Sequence, residues 1–236
     1  MCYTVFILTG KGKSKLYKAV IFDLDGTLLN TIDDLAAAAN HTLAQLGLPQ
    51  HTTAEIMSYV GNGIPMLLRR MVPQPPREED IRRAAPIFDA YYTAHKQDVT
   101  APYPGIPEML DAAAAHGVKL AVLSNKKHAA TQPIIRHYFG DRFAIVQGLE
   151  DGMPAKPDPT GVNRVLTALG CAPGEVLYVG DSDTDMLTAR GAGLFACGVL
   201  WGFRSREVLL EGGAQVLCEN AAQLTRLILE TDNFTA

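Results

Sequence analysis

A pair of carboxylates follows directly after a short apolar segment near the start of the chain. The apolar residues 19–22 precede Asp23-Leu24-Asp25-Gly26-Thr27. Two acids this close repel each other, and a half-buried pair is costly unless a cation or a shared proton balances it. A divalent metal would resolve the conflict and leave one carboxylate as a nucleophile and the other as an acid/base. An ordinary turn after a strand would use the same residue types, so this segment alone does not decide the chemistry.

Polar groups also lie near the ends of other strand-like segments. Ser124-Asn125 follows the segment 119–123, and Gly180-Asp181 begins a run that reaches Asp185 after the segment 176–179. Lys156 lies among prolines before that last strand. In an open parallel sheet, ligands bind beyond the carboxyl ends of the strands. Independent turn residues would explain one or two such ends, so the four groups together indicate one site.

The residue types in this site suit a metal ion and a phosphate group. Several carboxylates around one lysine are typical of Mg²⁺, which prefers oxygen ligands, whereas the soft ligands that zinc prefers are absent from these motifs. A hydroxyl, an amide and an ammonium group hold phosphate oxygens as hydrogen-bond donors. Phosphoryl transfer depends mainly on positioning and charge neutralisation, which this set of groups supplies.

Alternating strand-like and helix-like segments place these residues on a parallel α/β sheet. Such alternation is typical of open sheets whose helices connect neighbouring strands. The predicted strands are 19–22, 119–123, 143–147, 176–179, 194–200 and 215–217. The predicted helices are 106–116, 127–138, 159–170, 184–191, 204–211 and 220–231.

One interval, residues 31–101, breaks this alternation. Apolar residues recur there at helical spacing in three stripes, which begin at Leu35, Ile64 and Ile81, and strand signals are nearly absent. The interval is therefore predicted to be a helical insertion after the first strand. Residues 18–30 and 102–236 then form the sheet domain, and residues 1–17 are expected to be an N-terminal extension without a chemical role.

The composition is that of an ordinary globular protein. The 236 residues are 47% hydrophobic and 19% charged, and the formal net charge is −4. This charge does not favour a nucleic-acid partner, and the apolar runs are too short to span a membrane. Four dispersed cysteines indicate a reducing compartment rather than a disulfide framework. A cytoplasmic location, as a monomer or homodimer, is expected.

These motifs resemble those of the haloacid dehalogenase (HAD) superfamily, and of its phosphatase branch in particular. Four motifs match in order over residues 18 to about 230: Asp23-x-Asp25-Gly26-Thr27, Ser124-Asn125, Lys156 in Lys-Pro-Asp-Pro, and Gly180-Asp181-x-x-x-Asp185. The resemblance implies a Rossmann-like parallel-sheet core domain with an inserted α-helical cap domain. The cap would close over the site, exclude water and recognise the substrate.

The resemblance also implies the roles of the catalytic residues. Asp23 would attack phosphorus and form an aspartyl-phosphate. Asp25 would protonate the leaving alcohol and then activate the water that cleaves the intermediate. Ser124 would bind the transferring phosphoryl group, and Lys156 would balance the charges of Asp23 and the phosphate.

The same resemblance implies a Mg²⁺ site. Asp23, the backbone carbonyl of Asp25 and Asp181 would hold the ion. Asp185 would be a direct ligand or would support the ligands from behind. Thr27 and Asn125 are expected to bind the substrate with Ser124.

Three details narrow the function within the superfamily. The carboxylate at Asp25 is typical of members that must protonate a leaving alcohol. Dehalogenases lack a carboxylate at this position, because their reaction releases no alcohol that must be protonated. Thr27 is more typical of phosphatases than of sugar-phosphate mutases. In the insertion, the loop Gly61-Asn62-Gly63 resembles the substrate-recognition loop of phosphoglycolate phosphatases. Its glycines permit backbone N–H groups to approach a substrate carboxylate closely, although the loop also suits a helix N-terminus.

The leading hypothesis is a Mg²⁺-dependent phosphomonoesterase that acts on a small phosphorylated metabolite, with 2-phosphoglycolate as the expected substrate. A sugar-phosphate mutase, a pyrophosphatase and a nucleotidase remain alternatives on the same motifs. A non-catalytic phosphate-binding protein is the alternative from another class. It would be expected to have lost a nucleophile, an acid or a metal ligand, whereas all of these residue types are present.

Overall fold

Six parallel strands form the central sheet of the protein, in the order β5-β4-β1-β6-β7-β8. The computed structural model describes residues 17–229. The strands of this sheet are β1 (Ala19–Phe22), β4 (Lys119–Lys127), β5 (Ile145–Leu149), β6 (Val176–Gly180), β7 (Phe195–Val199) and β8 (Val216–Cys218). The predicted fold class, an α/β protein with a Rossmann-like parallel sheet, is confirmed. The predicted extension lies outside the described residues except for Tyr17.

Helices cover both faces of this sheet, which explains why its strands are apolar on both sides. The side chains of β1 alternate between two clusters: Val20 and Phe22 pack on one face, and Ala19 and Ile21 on the other. The first face is covered by α5 (Ile106–Ala115), α6 (His128–Phe139) and α10 (Ala221–Leu229). The second is covered by α7 (Thr160–Leu169), α8 (Asp183–Gly191) and α9 (Arg206–Gly212).

A helical insertion lies between β1 and β4 and has its own apolar cluster. It contains α1 (Ile32–Gln45), α2 (Thr53–Tyr59), α3 (Ile64–Met71) and α4 (Glu78–His95). The chain enters it through β2 (Leu29–Asn30) and leaves through β3 (Ala101–Pro102), and these two short strands pair antiparallel. The domain limits expected at residues 31 and 101 stay predictions.

Several elements differ from the expectations. Strand β4 extends four residues beyond the predicted end and so contains Ser124-Asn125, with an irregular register against β5 between Leu123 and Lys127. Strand β5 begins and ends two residues later than predicted, at Ile145 and Leu149, and Phe143 packs into the first-face cluster before the strand begins. Helix α2 was not predicted. Within residues 17–229, no helix has both the length and the apolar character needed to cross a membrane.

Candidate active site

Three buried aspartates meet at the carboxyl end of the sheet. Asp23 follows β1, Asp181 follows β6, and Asp185 lies in the first turn of α8. One carboxylate oxygen from each lies within 4.8 Å of the others. Because β1 and β6 are neighbouring parallel strands, their ends bring the first two acids together. The structure thus brings together three of the four acids that the sequence placed at the metal site.

Lys156 links two of these acids. Its Nζ donates to Asp23 Oδ1 and to Asp185 Oδ1, each at 2.7 Å, and to the carbonyl oxygen of Leu123 at 3.2 Å. Burial alone would lower the pKa of this ammonium group, but the charges of Asp185 and Asp23 outweigh burial and raise it well above its usual value. Lys156 is therefore a fixed positive charge beside Asp23.

Among the described residues, Lys156 is the one basic side chain that pairs with these three acids, so negative charge remains in the cluster. Burial, and then the charge of Asp185, raise the pKa of Asp23 well above its usual range. The same two causes raise the pKa of Asp181 to about 7. Three converging carboxylate oxygens form a hard oxygen donor set of the kind Mg²⁺ prefers, and a divalent cation would relieve this repulsion. The residues present therefore fit Mg²⁺.

Neighbouring groups fix the orientation of Asp181. Its Oδ1 accepts a hydrogen bond from the Thr27 hydroxyl at 3.0 Å, and its Oδ2 accepts one from the Phe203 backbone N–H at 2.7 Å. A Cβ atom on Gly202 would lie 2.2 Å from the Cβ of Asp181, and one on Gly26 would lie 2.3 Å from its Oδ2. Both glycines are therefore required for this close approach. The Thr27 hydroxyl is used by Asp181 here, and its expected contact with substrate stays a prediction.

Asp185 is the most enclosed of the three acids and has hydrogen-bond donors on both oxygens. Oδ1 accepts from Lys156 and from the Tyr178 hydroxyl, the latter at 3.2 Å. Oδ2 accepts from the Ser182 hydroxyl at 2.6 Å, and the Ser182 side chain also caps α8. A carboxylate with this many donors is best suited to support Lys156 and the other acids from behind.

Asp25 is not a member of the aspartate cluster and instead pairs with Lys126, a lysine that the sequence reasoning missed. Lys126 Nζ lies 2.9 Å and 3.0 Å from the two oxygens of Asp25, and 2.9 Å from the hydroxyl of Tyr92 on α4. Burial lowers the pKa of this lysine, but Asp25 and then Tyr92 raise it more, and the net shift is upward. The side chain of Asp25 is therefore not among the clustered acids. Its expected metal contact, through the backbone carbonyl, stays a prediction.

Ser124 and Asn125 lie on the extended end of β4, where both are buried. Asn125 connects three segments: its Oδ1 accepts from the backbone N–H of Lys156 at 2.7 Å, and its Nδ2 donates to the carbonyls of Lys156 and Gly61 at 3.1 and 3.2 Å. The Ser124 hydroxyl accepts from the backbone N–H of Lys126 at 3.1 Å. Contacts of both side chains with substrate stay predictions.

The loop Gly61-Asn62-Gly63 lies against the sheet domain. Asn62 Nδ2 donates to Thr184 Oγ1 at 3.1 Å, and its Oδ1 accepts from Arg70 at 2.8 Å. Gly63 precedes α3 with φ of 80°, a left-handed backbone that favours glycine. The loop is therefore both a helix start and a contact of the insertion with the sheet domain.

Arg204, from the loop after β7, holds the end of α2. Its guanidinium donates to the carbonyls of Met57 at 2.9 Å and Ser58 at 3.3 Å, and also to that of Val60. The last carbonyls of a helix lack partners within the helix, so this arginine acts as their cap. The preceding residue, Phe203, packs against the apolar cluster of the insertion.

Comparison with known proteins agrees with this geometry. The model of the haloacid dehalogenase-like hydrolase family matches residues 20–199. A phosphoglycolate phosphatase of Vibrio vulnificus (strain YJ016) is 32% identical, over 90% of this chain and 96% of that protein. One from Nitrosospira multiformis is 35% identical, over 89% and 95%. The crystal structure of a candidate phosphoglycolate phosphatase from Lactobacillus delbrueckii subsp. bulgaricus has a TM-score of 0.87 and 32% identity, and covers 91% of this chain and 99% of that one.

The resemblance inferred from the four motifs is confirmed by these matches, which extend over both the sheet domain and the insertion. They also confirm the expected enzyme class, a phosphoric monoester hydrolase. The protein belongs to the haloacid dehalogenase-like hydrolase family and is similar to its phosphoglycolate phosphatases.

Proposed function

We propose that this protein is a Mg²⁺-dependent phosphomonoesterase that works through an aspartyl-phosphate, with 2-phosphoglycolate as its substrate. The observation that carries this proposal is the group of three buried acids, Asp23, Asp181 and Asp185, around the fixed ammonium of Lys156. Such a site binds anionic phosphate only if a cation offsets its negative charge, and its donor set suits Mg²⁺.

Asp23 is the nucleophile in this mechanism. One of its oxygens contacts Lys156 in the described state. Its carboxylate attacks phosphorus, the bond from phosphorus to the alcohol oxygen breaks, and Asp25 gives that oxygen a proton. Asp25 then takes a proton from water as the water attacks the aspartyl-phosphate, which releases inorganic phosphate and restores Asp23.

The groups around Asp23 position the phosphoryl group and balance its charge. Lys156 offsets the charge of Asp23, and the Ser124 hydroxyl at the end of β4 supplies a donor for a phosphoryl oxygen. Asn125 holds the backbone at Lys156 in place through its hydrogen bonds. Mg²⁺, held by Asp23, Asp181 and the Asp25 carbonyl, would neutralise phosphate charge, with Asp185 in support. The insertion serves as a cap domain that keeps bulk water out.

The choice of 2-phosphoglycolate is supported by the relatives that carry this name and by the position of the Gly61-Asn62-Gly63 loop at the site. Backbone N–H groups of such a loop suit a small carboxylate.

A reducing, cytoplasmic location is part of the proposal. It is supported by the four dispersed cysteines of the sequence, whose spacing does not indicate a disulfide framework.

The test is phosphate release from a panel of 2-phosphoglycolate, hexose phosphates, nucleoside monophosphates and pyrophosphate, with Mg²⁺ and with EDTA. We expect Mg²⁺-dependent turnover with the highest kcat/KM for 2-phosphoglycolate. Asp23→Asn should abolish turnover, whereas Asp141→Asn, an exposed acid outside the site, should not change it. Wild-type activity in Asp23→Asn would refute the nucleophile, and a preference for another ester would refute the substrate.

A further inference from the structure

Lys126 is a buried cation whose contacts the proposed mechanism does not use. Its side chain is 7% exposed, and that of Asp25, which it contacts through both oxygens, is 16% exposed. Its third polar contact is the hydroxyl of Tyr92, which α4 of the insertion places over it. The Lys126 ammonium also lies 5.1 Å from the centre of the Tyr92 ring. A charge this enclosed requires an anionic partner.

The other buried or half-buried cations described at the site have partners that the proposed mechanism leaves in place. Lys156 binds Asp23 and Asp185, Arg70 binds the loop at Asn62, and Arg204 caps α2. Lys126 differs because its anionic partner, Asp25, is a residue that the reaction needs to be free. While the lysine holds both oxygens of Asp25, neither is well placed to donate a proton to an alcohol.

The position of Lys126 points to the group that would replace Asp25. Since Asp25 protonates the leaving oxygen, that oxygen must lie within hydrogen-bond distance of Asp25, and Lys126 then lies beside the leaving alcohol. In 2-phosphoglycolate, one methylene carbon separates the leaving oxygen from a carboxylate. That carboxylate is an anion of the same kind as the Asp25 side chain, and in such a pose it would lie within reach of the same ammonium group.

We propose that Lys126, with Tyr92, binds the carboxylate of the substrate's leaving group and that this exchange of partners releases Asp25 for proton transfer. The inference rests on the proposed phosphatase function and specifies its substrate class: phosphate monoesters of small hydroxy acids whose carboxylate is next to the ester carbon. The ester of a neutral alcohol has no anionic group to bind Lys126, so Lys126 stays paired with Asp25 and Asp25 is not free to donate a proton. The carboxylate of the preferred substrate therefore raises the rate of proton transfer as well as the binding affinity.

The test compares two esters of nearly equal size, 2-phosphoglycolate and 2-hydroxyethyl phosphate, which lacks the carboxylate. Wild-type enzyme should prefer 2-phosphoglycolate by roughly 100-fold in kcat/KM, as expected for a charge-assisted contact. Lys126→Met should reduce that preference to within about threefold. Activity on 2-phosphoglycolate should fall because the carboxylate contact is lost, and activity on 2-hydroxyethyl phosphate should rise because Asp25 is no longer held. The neighbouring exposed lysine supplies the matched control, and Lys127→Met should keep the wild-type preference.

Two further measurements keep the inference testable if Lys126→Met folds poorly. Tyr92→Phe removes only the hydroxyl and should lower the preference by roughly three- to tenfold. Glycolate should inhibit the wild-type enzyme competitively, and ethylene glycol should not. An equal loss on both esters in Lys126→Met, or equal wild-type activity on both, overturns the inference but keeps the phosphatase. No Mg²⁺-dependent release from any ester of the panel overturns the proposed function, and this inference with it.

Discussion

The contact of Arg204 with α2 predicts how firmly the insertion is held over the site. Arg204→Met keeps most of the side-chain volume and removes three hydrogen bonds to carbonyls at the end of α2. A hydrogen bond to a charged group contributes about 1.5–3 kcal/mol, but the arginine is partly exposed and the carbonyls regain water when it is gone. We take the net loss as about 2 kcal/mol, or roughly 30-fold in the equilibrium between the docked and undocked insertion.

That change should appear in two assays. Steady-state kinetics should show KM raised by up to roughly 30-fold with kcat little changed, because the lost contacts are present before and during the chemical step. Hydrogen exchange followed by mass spectrometry should show faster exchange of the amides in residues 57–63, whereas strand β1 should keep its protection.

Arg206→Met is the matched control, because Arg206 lies nearby and pairs only with exposed Glu219 among the described contacts. It should leave both readouts unchanged. If Arg204→Met and Arg206→Met behave alike in KM and in exchange, then Arg204 does not hold the insertion and the reasoning is refuted.

Three further predictions concern the Asp181 carboxylate. Because burial and Asp185 raise its pKa to about 7, Mg²⁺ must displace a proton below that pH, so Mg²⁺ affinity should rise as the pH increases through 7. The metal-free protein should lose stability as the pH rises from about 4 toward 7, since the folded state holds this proton more tightly than the unfolded state. Calorimetric titrations with Mg²⁺ measure the change in affinity, and thermal melts without metal measure the change in stability. Affinity or stability that does not vary with pH would contradict these predictions. Gly202→Ala should weaken Mg²⁺ binding and activity by at least about 100-fold, because the new Cβ would overlap Asp181, whereas Gly191→Ala, with nothing within 4 Å, should be neutral.

The aspartate cluster could be predicted from the sequence because each member is close to a strong local signal. Asp23 follows a wholly apolar strand, and Asp181 follows another. Once the strands are known to be parallel, their carboxyl ends must share an edge. No estimate of distances is needed for that step.

The partner of Asp25 could not be predicted in this way. In the run Ser124-Asn125-Lys126-Lys127, nothing local distinguishes the buried lysine from the exposed one. The difference comes from the irregular end of β4 and from the position of Tyr92, which is 34 residues away on another element. Such contacts depend on how the insertion packs on the sheet domain.

Helix α2 was not predicted either, although the sequence contains a local indication of a helix start. Thr52 and Glu55 form a capping box, with the threonine side chain and the glutamate each bonded to the other's backbone N–H. The helix has only seven residues and buries a single one, Ile56, so it lacks the apolar stripe that revealed its neighbours.

The short antiparallel pair of β2 and β3 also bears on how the chain folds. Strands β1 and β4 are neighbours in the sheet, with Ala19 opposite Lys119, yet the whole insertion separates them along the chain. Closing a loop of about 100 flexible residues carries an entropic penalty before any strand contact is gained, and such non-local pairing slows folding. Once the insertion has formed and Leu29 lies opposite Pro102, the ends of that loop are already together. We therefore expect the insertion to act as the folding nucleus that makes the central pairing of the sheet fast.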